Sequence, residues 1–155
     1  METNIFSNSY DAVLLAASVL KRLGCGKVDT FEQRLRSQKT QYLAQAFGVS
    51  PNYSFSLYLR GPYSTSLAHD LFKIKENSLC IPDGKFVSDE LENRFNQLKG
   101  FISSKTTREL ELIATLHWFI RKVKLAPDQS KQKLIELKNA SEDEVLFSFN
   151  SLKAI

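Results

Sequence analysis

Residues 55–72 read FSLYLRGPYSTSLAHDLF, and they pass from strand to break to helix with almost no spacer. Tyr53, Phe55, Leu57 and Leu59 alternate with Ser54, Ser56 and Tyr58. That period of two predicts a strand over 53–59 with one face buried. Gly61 admits backbone angles that other residues resist, and Pro62 has the fixed φ and missing donor that suit the first turn of a helix. The strand is therefore expected to end at Gly61-Pro62. A helix should follow at once, capped by Ser64, Thr65 or Ser66, with Leu67, Ala68, Leu71 and Ile74 facing inward. A chain with this switch at its centre must fold back on itself there, whatever else it does.

The flanking sequence is helical. Residues 9–23 place Tyr10, Val13, Leu14, Ala17 and Leu20 at helical spacing, and Gly24 and Gly26 follow. Thr30 to Gln33 is a capping-box pattern opening a helix to about Phe47, as are Thr106 to Glu109 and Ser141 to Glu144 for later helices. In the helix from Thr30, Phe31, Leu35, Tyr42, Leu43, Ala46 and Phe47 are expected inside, with Arg34, Arg36 and Lys39 on wetter faces. LCIPDGKFV, residues 79–87, predicts a hairpin about Asp83-Gly84. Further helices are expected from Ser88 or Asp89, from Leu110 to Val123, and around Leu134, Ile135 and Leu137. The fold class is thus mainly α (α+β). Residues 30–87 form a winged-helix-like centre with a small antiparallel sheet, flanked by N- and C-terminal helices, with 88–155 as the C-terminal helical part of a single domain over 1–155. Residues 62–77 leave room for one helix between first strand and wing, where a full winged helix has two.

Three separated motifs carry a resemblance: RLRSQKTQYLAQAFG, FSLYLRGPYSTSLAHDL and LELIATLHWFI, in that order over about 30–120. In this order the chain resembles the YwgA-like family of small uncharacterised proteins, which is related to Panacea and SocA-like antitoxin domains. Ser37 stands where such proteins often carry a bulkier apolar residue, and Ser78-Leu79-Cys80 where they often have Gly-Leu-Ile. The resemblance implies a helical domain with a winged-helix-like centre, and an antitoxin-like or defence-related (toxin–antitoxin, phage defence) setting.

Chemistry is sparse. His69 and His117 are far apart, no Cys/His cluster has metal spacing, and no phosphate-binding glycine motif occurs, so no metal, cofactor or catalytic residue is expected. His117 sits in a strongly apolar helix and reads as a hydrogen-bonded core histidine, and neither it nor Trp118 is expected to line a catalytic cleft. Cys25 and Cys80 read as reduced thiols, and with no basic leader and no long apolar run the chain reads as cytoplasmic, without a membrane partner. The formal net charge is +4, split as 9 Lys/Arg against 6 Asp/Glu in residues 1–80 and 12 against 11 in 81–155. That excess permits nucleic-acid binding without demanding it.

Two functions remain open. The first is a non-enzymatic protein-interaction module, antitoxin-like or a subunit of a larger complex. Its partner would be a toxin, a complex subunit or a second copy, docked on an exposed patch for which Tyr58, Phe147 and Trp118 are candidates. The alternative is a DNA-binding winged-helix-like regulator. Its candidate contacts are Arg60, Tyr63, Ser64, Thr65, Ser66, Lys73 and Lys85, with Arg34, Arg36 and Lys39 tracking phosphates.

Overall fold

The computed structural model describes residues 12–50, 53–77, 86 and 88–155. The fold is mainly helical with a small two-stranded antiparallel sheet. In chain order the elements are α1 (Ala12–Arg22), α2 (Phe31–Ala46), β1 (Ser56–Tyr58), β2 (Gly61–Tyr63), α3 (Thr65–Asn77) and α4 (Asp89–Ser103). Then come α5 (Thr107–His117), a π-helical turn (Trp118–Lys122), α6 (Pro127–Lys138), α7 (Glu142–Ser151) and a final 3-10 turn (Leu152–Ala154). The expected hairpin at 79–87, with its Asp83-Gly84 turn and Lys85, lies outside the described residues apart from Phe86, as does Cys80.

Local chemistry sets the helix starts. Thr30, Thr106 and Ser141 each accept a hydrogen bond from the backbone N–H three residues on, and Gln33, Glu109 and Glu144 each reach back to the cap. Ser88 caps α4 and Ser64 caps α3, the latter accepting from the Leu67 N–H at 3.2 Å. Pro127 opens α6 at a position where its missing N–H costs nothing.

Helix α2 is the central element, packed against α1, α3, α4, α5 and β2. Its sequence is polar, yet Ser37, Gln38, Lys39, Thr40 and Gln41 are all buried. This corrects the expected facing of the helix: Lys39 is fully enclosed, and Phe31, expected inside, is 61% exposed. The reason lies in the partners. Buried backbone groups of an irregular segment need donors and acceptors, and α2 supplies them. Gln38 holds Ser64 from both sides, donating to its carbonyl at 2.9 Å and accepting from its N–H at 3.0 Å. Lys39 donates to the Pro62 carbonyl at 2.6 Å, and Gln41 donates to the Ser50 hydroxyl. Thr40 lies 3.5 Å from the buried thiol of Cys25.

The switch that opened the sequence reading turns one step earlier than expected. The chain reverses at Leu59-Arg60, and Gly61-Pro62 begins β2 rather than the helix, in the register Ser56↔Tyr63, Leu57↔Pro62, Tyr58↔Gly61. Gly61 does take a left-handed φ, +88°. β1 does not bury one face: all three of its residues are exposed, and Gly61 and Pro62 of β2 make the inward contact instead.

Among the described residues, three apolar clusters surround this framework. The largest joins α1, α2, α4 and α5 through residues such as Leu43, Phe95, Leu98, Leu110 and Ile113. A second packs α1 on α3 through Leu20, Leu67 and Leu71, and a third packs α5 on α6 and α7 through Leu116, Leu134 and Val145. Among the described residues no helix is long and apolar enough to cross a membrane.

Candidate functional site

The β1–β2 hairpin is fastened from below by buried charge. Glu111 of α5 pairs with Lys138 of α6 at 2.8 Å, both side chains nearly inaccessible. Lys138 also donates to the Leu59 carbonyl at 2.5 Å, while Lys39 holds Pro62 from the other side. Burial pulls the Lys39 ammonium down to about 8, with Glu111 opposing that shift and Lys138 adding to it. Two lysines and one glutamate thus hold the hairpin backbone at Leu59 and Pro62.

Above this base the hairpin, α2 and α3 enclose a groove of about 330 Å³. Phe31 of α2, Tyr58 and Leu59 of the hairpin and Phe72 of α3 line it while remaining exposed, and Leu59 is 89% accessible at the tip. Leu35 and Leu71, both buried, also contribute to its lining. The charged residues in the lining are Arg34 and Arg60, and no carboxylate joins them among the described residues.

The candidate nucleic-acid contacts scatter around this geometry. Arg34, Arg60 and Tyr63 meet at the groove. Arg60 is exposed, but Arg34 already donates to the Val28 and Asp29 carbonyls at 3.2 and 2.8 Å and lies over the Phe72 ring. Arg36 is drawn away to the end of α4, where it donates to the Ile102 and Lys105 carbonyls at 2.9 and 3.0 Å. That is a helix C-terminus taking a cation, a structural use. Lys39 is buried under the hairpin, so no phosphate reaches it. Ser64 is fully buried as the α3 cap, with its own N–H taken by Gln38, so the helix N-terminus is already satisfied there. Thr65, Ser66 and Lys73 are exposed on α3 and do not line the groove, and Lys85 lies outside the described residues. Tyr58 belongs to the groove, its ring 5.3 Å from that of Tyr63. Phe147 is exposed over a separate shallow pocket shared with Glu109, Asp143 and Glu144. Phe31 and Leu59 escape a sequence reading because their regular spacing places them in the interior, and Phe72 because it falls outside the inward stripe of α3 and carries no signal of its own.

A second cavity, also about 330 Å³, lies between the C-terminal half of α2, residues 53–55 and the π-helical turn. His117 and Trp118 both line it, which corrects the expected core setting of His117 to the wall of a cavity. The regular helix α5 gives way to a π-turn at Trp118, and turns of that kind recur at functional sites. His117 Nδ1 lies 2.7 Å from the Tyr42 hydroxyl, so the ring is hydrogen-bonded as expected. Burial, then the charges of Arg121 and Lys122, push the imidazole down to about 4. The Tyr42 phenol is pushed up by burial and keeps its proton. Assigned as the donor to Nδ1, it leaves His117 neutral with its proton on Nε2.

The depressed histidine gives a pH prediction. The unfolded chain takes up a proton near the ordinary value of 6.5, the folded protein only near 4, so unfolding is favoured as pH falls through that window. Wild-type stability should drop by about 2–3 kcal/mol between neutral pH and pH 4 from this residue, discounting for the ring's partial exposure. Urea titrations of wild type and His117→Gln across that range check it. Parallel pH curves for the two proteins would show that His117 is not the source.

No family model, no curated protein and no solved structure matches this chain.

Proposed function

We propose that this chain is a non-enzymatic protein-interaction module, antitoxin-like or a subunit of a defence or regulatory complex, built on a winged-helix-like scaffold. The observation that carries the reading is the groove beside the hairpin. Four large apolar side chains, Phe31, Tyr58, Leu59 and Phe72, stand exposed around one depression on a rigidly supported base. Contiguous exposed apolar surface of this kind marks interaction sites. The lining charges are both arginines, which favours a partner segment that presents an apolar anchor flanked by acidic residues. The DNA-binding alternative has weaker support, because Arg36, Lys39 and Ser64 are committed to internal contacts.

The test pairs Leu59→Asp/Phe72→Asp with Arg60→Ala. A partner captured by the wild type, then purified and titrated, should bind the double variant at least about a hundredfold more weakly, as when central anchors of an interface are lost. It should bind Arg60→Ala only severalfold more weakly. The wild type should not bind duplex DNA measurably near ~150 mM salt. Tight duplex binding that weakens in Arg60→Ala with a flatter salt dependence would replace this reading with the DNA-binding one.

A further inference from the structure

We propose that the cavity between α2, residues 53–55 and the π-helical turn is a binding site for a small planar aromatic carboxylate. The walls are aromatic: Tyr42, Tyr53, Phe55 and Trp118 line the space. Their rings already pack edge-on or tilted, with Tyr42 5.2 Å from Phe55 and 6.3 Å from Trp118. At about 330 Å³ the cavity falls at the small end of ligand pockets, matching a one- or two-ring molecule. A flat ring is the shape such walls accept with the least loss of contact.

The polar lining sets the charge. Lys122 lines the cavity and is exposed, with Arg121 beside it on the π-turn. Tyr42 fixes His117 through Nδ1, which leaves Nε2–H as the ring's other donor. No carboxylate lines the cavity among the described residues, and Asp70 is engaged by the Tyr53 hydroxyl at 2.7 Å. Gln45 is also occupied, donating to the Tyr53 carbonyl and accepting from its N–H at 3.1 and 2.8 Å. That pair ties residue 53 to α2 and preforms one wall. Beside the Ser54 hydroxyl, the lining thus offers a cation and a neutral N–H donor, the set that receives a carboxylate.

The chain has a single tryptophan, Trp118, so one indole N–H resonance reports on the cavity directly. Benzoate and naphthalene-2-carboxylate serve as probes, with naphthalene-2-carboxamide as the neutral control and cyclohexanecarboxylate as the non-aromatic one. At least one aromatic acid should shift the Trp118 resonance saturably, and both controls should bind roughly tenfold more weakly or worse. Lys122→Gln, a change at an exposed residue, should weaken the acid by about tenfold and leave the amide unchanged. The proposal fails if no probe shifts the resonance saturably up to ~10 mM. It fails equally if acid and amide bind alike, or if Lys122→Gln binds the acid as well as wild type does.

Discussion

Glu111→Ala is expected to cost about 3–5 kcal/mol, because it leaves two buried ammonium groups without their shared counter-charge. Glu111 and Lys138 expose only 5% and 6% of their side chains, and Lys39 is wholly enclosed. Neither lysine can swing into water without releasing the hairpin carbonyl it holds. For a chain of this size the loss is a fall of roughly 10 °C in Tm. The pH dependence supplies an independent check. The folded protein sheds the Lys39 proton near 8, whereas the unfolded chain holds it to about 10.5, so wild-type stability rises with pH above 8. Without Glu111 that rise should begin at lower pH, since the charge that favoured the ammonium is gone. A double-mutant cycle of Glu111→Ala with Lys138→Met should depart from additivity by more than ~1 kcal/mol. A single-variant loss below that figure would mean that the three charges are hydrated in solution.

Gly61→Ala should be nearly as damaging, at about 3 kcal/mol. Two terms add: a left-handed φ of +88°, and a Cβ that would stand 2.5 Å from Thr115 Oγ1. Thr115 cannot easily give way, because its hydroxyl donates to the Glu111 carbonyl at 2.7 Å. Gly24 is the natural comparator. Its φ is +79° and an added Cβ would meet nothing within 4 Å, so Gly24→Ala should show the backbone term alone, about 1–2 kcal/mol. Denaturant midpoints of both variants, with Gly61→Ala/Thr115→Ala, separate the terms: removing the Thr115 hydroxyl should return Gly61→Ala toward the Gly24→Ala value. Equal losses at the two glycines would show that the hairpin can lift off α5 at little cost.

What the sequence made legible was local. Thr30, Thr106 and Ser141 cap their helices because a cap and its partner sit three residues apart, within one readable window. The facing of α2 was illegible for the opposite reason. Gln38 is buried because Ser64, 26 residues away, needs both a donor and an acceptor, and Lys39 because Pro62 needs a donor. Hydropathy cannot see an acceptor that arrives from elsewhere. Ser37 is the extreme case, fully buried with no hydrogen-bond partner for its hydroxyl; nothing in the structure explains the choice of serine there. The alternation over Tyr53 to Leu59 misled because Leu59-Arg60 carries no turn residue, and the left-handed angle falls on Gly61 just after the reversal. Of the candidate site, Arg60 and Tyr63 were readable as neighbouring contacts beside Gly61-Pro62, and Tyr58 as an exposed aromatic. The depth of the groove was not, since it depends on how Phe31 and Phe72 are presented by two helices that meet only in the folded chain.

The tie between Lys138 and the Leu59 carbonyl spans 79 residues of sequence, and it joins the end of α6 to the tip of the hairpin. The outermost lip of the groove is therefore anchored to a helix that contributes nothing to its lining. Events in the C-terminal third of the chain, such as a truncation after α5 or a binder that displaces α6, reach the groove without touching it. A surface and its latch lie in different parts of the gene, so substitutions that tune the groove need not cluster among the residues a partner would touch.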